Sequence, residues 1–220
     1  MSPALEVALI GAGVAASKIR VHPAFVASEV RPGDLPLGFA DIRARYPLLL
    51  SYAHHPSPVY GRALLLDGLQ ALGKAGTLAG LVAFGPGSRS VEFRGDVEQR
   101  GLRAQVIALG DVSHGTALAV MKASDLFVRP TLADGDSVSV REALAVGVPC
   151  VASDAAVRPS GVSTFRSGDA LDLARALQGP HGSAGETVQP DAGEWLMAEY
   201  EKFAKEPRWS FRGTLARFGA

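Results

Sequence analysis

The 220-residue chain has one cysteine, a formal net charge of zero and no apolar run long enough to span a bilayer. One cysteine excludes an internal disulfide, and the place of Cys150 in an apolar run after Pro149 predicts a buried structural thiol. Zero net charge argues against a general nucleic-acid or anionic-membrane surface. The first residues also lack the basic segment of a signal peptide. We therefore expect a soluble, cytoplasmic protein, with peripheral attachment at the inner membrane face left open.

The signatures of several enzyme classes are also missing. The sequence has no GxSxG motif and no P-loop, so serine hydrolases and NTPases lack support. His54 and His55 have no cysteine or carboxylate at the spacing of a metal site. The sequence therefore predicts no metal ion and no bound cofactor.

Apolar runs and helical patterns alternate along most of the chain. From Tyr46 onward the runs are short and continuous, which is typical of parallel strands covered by helices on both faces. The pattern predicts an α/β fold with a doubly wound, mostly parallel sheet flanked by helices. The predicted strands are Leu48–Ala53, Leu81–Phe84, Gln105–Leu109, Leu126–Val128, Val148–Ala152 and Gly161–Phe165. We divide the chain into the remnant of an N-terminal domain with an interdomain linker over 1–45, a main domain over 46–180, and a loop with a C-terminal helix over 181–220.

The N-terminal segment allows two interpretations. Glu6 to Ala16 matches the strand-then-GxGxxA pattern of a dinucleotide-binding turn, which predicts an NAD-dependent oxidoreductase. Pro23 follows too soon for the helix that such a turn requires. The alternative is a helix over Ala4–Ala12 that ends at Gly13.

The stretch from Pro130 to Asp154 carries the most chemistry. A polar turn follows a buried strand, and a helix opens at the Ser137–Ser139 hydroxyls. Free amides at a helix N-terminus can bind phosphate, and carboxylates can bind sugar or ribose hydroxyls. Two acids bracket the turn with seven residues between them, Asp134 and Glu142. Arg129 and Arg158 are close enough in sequence to offset this acidic pair.

Simpler interpretations of these acids remain open. Asp134 could cap a turn, and Glu142 could be a solvated helix residue. A glycoside hydrolase also uses two carboxylates, but both acids here come from one loop–helix segment. Other residues follow predicted strands at the same sheet edge and are candidate ligand contacts: Gly85, Gly110, Val112 and Arg62.

Several segments in a fixed order resemble the C-terminal, donor-binding domain of GT-B glycosyltransferases, in the retaining group called GT4 (glycosyl transferases group 1). The match covers Gly13 to Gln178. Its pieces are a linker-like Lys18–Pro23, the strand Leu81–Gly85, the base-binding loop Val106–Val112, the run Asp125–Pro130, and Asp134-x7-Glu142 continuing to Pro149. The resemblance implies the Rossmann-like half of a GT-B fold.

The resemblance also implies roles for individual residues. Glu142 would hydrogen-bond the ribose of a nucleotide-sugar donor, and Asp134 would contact the hydroxyls of the donor sugar. The diphosphate would meet backbone amides of Gly135, Asp136, Ser137, Val138 and Ser139. Two departures stand out: the first acid is Asp instead of the family's Glu, and the family's basic pair for the diphosphate is absent, with Arg62 the nearest basic residue.

The implied activity is a hexosyl-type, retaining transfer from a UDP- or GDP-sugar to a saccharide or lipid-linked acceptor, as in polysaccharide biosynthesis. No residue of this chain is assigned as catalytic, because the acceptor-binding domain is reduced to the first residues. We expect the chain to be inactive without a separate acceptor domain, and self-association is left open. The alternative is a degenerate nucleotide-sugar-binding or interaction domain without catalysis.

Overall fold

The computed structural model describes residues 3–22, 24–181 and 191–205. These residues form six β-strands, eight α-helices and three short 3-10 turns. The strands are β1 Leu48–Ala53, β2 Ala79–Phe84, β3 Val106–Gly110, β4 Leu126–Arg129, β5 Cys150–Ser153 and β6 Val162–Phe165. The helices are α1 Pro3–Gly11, α2 Phe39–Arg45, α3 Arg62–Lys74, α4 Val91–Gln99, α5 His114–Lys122, α6 Val138–Ala145, α7 Ala170–Gln178 and α8 Ala192–Lys205.

The six strands form one sheet in the order β3-β2-β1-β4-β5-β6, and every neighbouring pair is parallel. The chain builds outward from β1 in one direction and then returns to its other side, where Leu50 pairs with Leu126. The predicted doubly wound α/β fold is confirmed. Such a reversal of strand order leaves a crevice at the carboxyl ends of the two central strands, β1 and β4.

Helices bury both faces of the sheet. One core packs α3, α4 and α7 on one face, and a second core packs α2, α5 and α6 on the other. Alternate residues of one strand therefore enter different cores: Leu50 lies in the first and Leu49 in the second, both fully buried. Two covered faces explain why the strands are continuous apolar runs.

The N-terminal segment is helical. Helix α1 ends in a Schellman motif: Gly13 has φ +90°, its N–H donates to Ile10 O, and the Val14 N–H donates to Leu9 O. The dinucleotide-binding turn requires a strand where α1 lies, so that interpretation is wrong and the helix with Gly13 past its end is right. Helix α2 within the predicted linker is unforeseen; its Phe39 is buried in the second core.

The C-terminal helix contacts the segment that follows α1. The Ala192 N–H donates to Phe25 O at 2.6 Å, and the Trp195 ring stacks on His22 with centroids 4.7 Å apart. Phe25 is buried beneath this contact. Within the described residues, no helix is long and apolar enough to cross a membrane.

Cys150 begins β5 and is 1% exposed, which confirms the predicted burial. Its thiol donates to Val140 O of α6 at 3.7 Å. Burial raises the pKa of the Cys150 thiol to about 12, so the group stays protonated at neutral pH.

Candidate functional site

Two loops meet at the crevice between β1 and β4. Gly61 lies between the β1 loop and α3 with φ +71°, and a Cβ on it would lie 1.7 Å from Pro130 O. The Leu132 N–H donates to Val59 O at 2.8 Å. Only glycine permits this approach. The β1 and β4 loops therefore form one continuous surface, with a small cavity of about 180 Å³ lined in part by Arg62 and Leu132.

Helix α6 begins at this surface with its first turn uncapped by a side chain. The Ser137 hydroxyl, at the N-cap, makes no bond to a helix amide and lies 3.1 Å from the Ser139 hydroxyl. Amides of an uncapped first turn, together with the helix dipole, favour an anion. Asp136 is paired with Arg141 at 2.7 Å, and its Oδ2 is buried without a hydrogen bond. The Gly135–Ser139 turn therefore combines a neutralised acid with free amides at the start of α6, whereas the Gly135 N–H already donates to Asp134.

Asp134 lies at the centre of a buried ionic cluster. Its carboxylate accepts five hydrogen bonds: two from Arg129, and one each from Thr131, Gly135 N–H and Arg158. The Asp134 and Arg158 side chains are 9% and 3% exposed. Burial alone would raise the pKa of Asp134, but the bonds from the two arginines outweigh it and lower that pKa. The prediction that Arg129 and Arg158 offset the negative charge is confirmed for Asp134.

Glu142 pairs with a histidine from the neighbouring unit. His114 Nε2 donates to Glu142 Oε1 at 2.7 Å, and the Glu142 side chain is 15% exposed against 51% for His114. His114 is the first residue of α5, and Glu142 is in the second turn of α6. Both helices follow carboxyl ends of parallel strands, so the pair lies at the same edge of the sheet as the crevice.

The glycines after β2 and β3 bond to each other. The Gly85 N–H donates to Gly110 O at 2.8 Å, and the Gly110 N–H donates to the buried Ser88 hydroxyl at 3.0 Å. Both backbone groups of Gly110 are thus engaged within the protein. Val112 is partly buried against the second core and follows this bonded turn. Both glycines have positive φ, which their tight turns require.

Arg62 and His54 lie beneath the β1 loop. Arg62 Nε is 2.7 Å from Asp96 of α4, so its charge is paired. His54 is 3% exposed, and neither of its ring nitrogens has a hydrogen bond. Its ring contacts that of Phe93 in a tilted arrangement, with centroids 4.8 Å apart. Burial, with smaller effects of the Arg62 and His55 charges, lowers the pKa of His54 to about 4. This histidine is neutral at pH 7.

Among the described residues, no group of three or more His, Cys, Asp or Glu side chains could hold a metal ion. The edge of the sheet thus offers helix amides, a paired carboxylate in Glu142 and a cluster with two arginines. These groups can bind an organic anion that carries hydroxyl groups.

The model of the family described as glycosyl transferases group 1 matches residues 47–179. The chain belongs to this family. The resemblance to glycosyl transferases group 1 is therefore confirmed over residues 47–179. No curated protein matches the chain in sequence.

Solved glycosyltransferases share the fold at low identity. HepE of Anabaena, solved with UDP and glucose, is 19% identical with a TM-score of 0.71, over 92% of this chain and 61% of its own. Sucrose-phosphate synthase of Thermosynechococcus elongatus is 20% identical with a TM-score of 0.60, over 81% and 47%. The E. coli trehalose-6-phosphate structure with UDP-2-fluoro glucose is 15% identical with a TM-score of 0.56, over 70% and 41%. The predicted Rossmann-like, GT-B type of fold is confirmed, and the chain spans about three fifths or less of these relatives.

The structure brings together most of the predicted site residues and adds His114, Ser88 and Tyr60. Asp134, the Gly135–Ser139 turn and Glu142 lie along one loop and helix at the carboxyl edge. His114 and Ser88 are missed by sequence reasoning, because each acts through a residue of another βα unit. The stacking of Arg129 on Tyr60, 4.7 Å from its ring centroid, is missed for the same reason. The ligand contacts assigned to these residues stay predictions.

Proposed function

We propose that this chain is the donor-binding half of a retaining glycosyltransferase that uses a UDP- or GDP-sugar. The observation that carries the proposal is the uncapped N-terminus of α6 at the β1/β4 crevice, with Glu142 one turn farther along the helix. This arrangement supplies amides for a diphosphate and a carboxylate for a ribose. Membership of the family supports the transferase class.

In the proposed complex, the diphosphate lies on the amides from Asp136 to Ser139, because the Gly135 N–H donates to Asp134. Negative charge grows on the diphosphate as the glycosyl bond breaks, and fixed N–H groups with the α6 dipole stabilise that charge. His114 engages one oxygen of Glu142, and a carboxylate has a second oxygen that can accept from ribose hydroxyls. Because Gly110 uses its own amide and carbonyl internally, the base is read at Val112.

The choice of nucleotide and acceptor is part of the proposal. HepE has been solved with UDP and with UDP-glucose, which supports a uridine nucleotide. The acceptor is a saccharide or a lipid-linked saccharide, as the resemblance implies. Transfer then requires acceptor-binding groups from a second domain or partner chain. Efficient transfer by the isolated 220-residue chain would contradict that requirement.

Titration calorimetry tests donor binding. We expect saturable binding of UDP or GDP and of the corresponding nucleotide sugars, and no binding of NAD. Glu142→Ala should weaken nucleotide binding by about tenfold or more, since a hydrogen bond to a charged group contributes about 1.5–3 kcal/mol. Glu98→Ala is the matched control, because Glu98 is an exposed glutamate of α4. Equal affinity of the Glu142 and Glu98 variants would refute the ribose role.

A second candidate is a degenerate nucleotide-sugar-binding or interaction domain without catalysis. It is favoured by the ion pair of Arg62 with Asp96. That pair removes from phosphate binding the basic residue nearest to the places of the family's basic pair. Absence of binding by every nucleotide and nucleotide sugar would support an interaction domain.

A further inference from the structure

The cluster around Asp134 carries more positive than negative charge. Arg129 and Arg158 have Asp134 as their only ion-pair partner within the described residues. The three side chains are 11%, 3% and 9% exposed. Two buried guanidinium groups that share one carboxylate leave an uncompensated positive charge, which is costly unless an anion completes the site.

The two arginines use their N–H groups differently. Arg158 donates through Nε, Nη1 and Nη2 to Ser153, Asp134 and Thr131, so it serves to hold the cluster together. Arg129 donates only through Nε and Nη2, both to Asp134. In the described part of the chain, Nη1 of Arg129 has no hydrogen-bond partner. The surplus donor capacity thus lies on Arg129.

Arg129 lies beside the turn on which the proposed function places the diphosphate. It is the last residue of β4, and its guanidinium lies over the Tyr60 ring of the β1 loop, 4.7 Å from the centroid. Asp134 Oδ1 accepts from Arg129 and also from the Gly135 N–H. Arg129 therefore lies between the two crevice loops and beside the turn that opens α6. Stacking and a bidentate bond fix its orientation before any ligand arrives.

Two other arginines near the crevice are already paired with carboxylates. Arg62 is paired with Asp96 of α4, and Arg141 is paired with Asp136. Neither pair leaves a surplus charge at the start of α6.

We propose that Arg129, oriented by Asp134 and Arg158, is the cationic anchor of the donor diphosphate. It takes the place of the basic pair that the family resemblance implies and this chain lacks. In this arrangement Asp134 positions an arginine instead of binding the donor sugar. The inference rests on the proposed function, because it names the group that holds the anion in the same site.

The test compares UDP with uridine, which lacks the diphosphate, on the wild-type chain and two variants. Affinities come from calorimetry for UDP and ligand-observed NMR for uridine, with GDP and guanosine measured in parallel. Arg129→Met should weaken UDP by at least about tenfold and leave uridine unchanged, since charge-assisted bonds to phosphate are lost. Arg129→Lys should give a smaller loss, again for UDP alone, because the charge remains while the stacking does not.

Arg43→Met is the matched control. Arg43 is ion-paired with Asp125 at 2.7 Å, but it lies at the amino ends of β1 and β4, opposite the crevice. Arg43→Met should change the affinity for neither UDP nor uridine. Suppose that the wild-type chain binds UDP and that Arg129→Met has the same ratio of UDP to uridine affinity as the wild type. That result overturns this inference and leaves the proposed function standing. If that variant does not fold, the lysine variant decides: a loss selective for UDP supports the anchor, and an equal loss or none overturns it. A wild-type chain that binds neither UDP nor GDP overturns the proposed function as well.

Discussion

Gly61→Ala should separate the two loops that form the crevice. In the structure, a Cβ at residue 61 would lie 1.7 Å from Pro130 O and 2.7 Å from Pro130 C. Ordinary van der Waals contact begins at 3.4 Å, and both neighbours are backbone atoms. No side-chain rotation can relieve the overlap, so one loop must move away from the other.

The cost has three parts. Alanine at φ +71° costs about 1–2 kcal/mol in a left-handed conformation. Movement of the loop breaks the hydrogen bond from the Leu132 N–H to Val59 O, which contributes about 1 kcal/mol. Lost packing around the displaced loop adds about 1 kcal/mol or more. We expect a total loss of about 3–4 kcal/mol in the free energy of unfolding.

Gly76→Ala is the control for backbone strain. Gly76 has φ +86°, and a Cβ on it would have no atom within 4 Å, so this variant tests the conformation without the overlap. Urea unfolding should place Gly61→Ala at least about 2 kcal/mol below Gly76→Ala, and its melting temperature about 4–8 °C lower. Equal destabilisation of the two variants would refute the claim that the loops are in obligatory contact.

Three further predictions concern charge. Asp134→Ala should cost about 3–5 kcal/mol of stability by leaving its two buried arginines unpaired, and a loss below about 1 kcal/mol on urea unfolding would contradict the buried cluster. The pKa of His54 falls from 6.5 in the unfolded chain to about 4 in the fold, so the free energy of unfolding should drop as the pH falls from 6.5 to 4. His54→Phe should flatten that pH dependence, and an unaltered slope would contradict the assignment to His54. His114→Ala should weaken UDP binding non-additively with Glu142→Ala, whereas additive losses in calorimetry would mean that His114 does not act through Glu142.

Strands with both faces covered were predictable, and their exact ends were less so. β1 has the predicted bounds, because an uninterrupted apolar run coincides with its hydrogen-bonded ladder. β5 begins two residues later than predicted: the Val148 N–H bonds back to Ala143 O of α6, and Pro149 has no N–H to pair. Helix α2 was missed because seven residues are too few to display a helical period.

The site was predictable as far as it lies on one segment. Asp134, the helix opening and Glu142 are close in sequence, and the arginines that flank Asp134 are visible there too. Contacts between separate βα units depend on strand order and register, which apolar runs do not encode. The pairing of Glu142 with His114, 28 residues away, is of this kind.

The burial of Cys150 makes the chain convenient for labelling. It is the one thiol in the sequence, and it is enclosed between β5 and α6 with a pKa of about 12. A thiol reagent can therefore reach it only when the fold opens, and the rate of modification reports how often that happens. An engineered surface cysteine can carry a fluorophore or spin label while the natural thiol stays unreacted and in place.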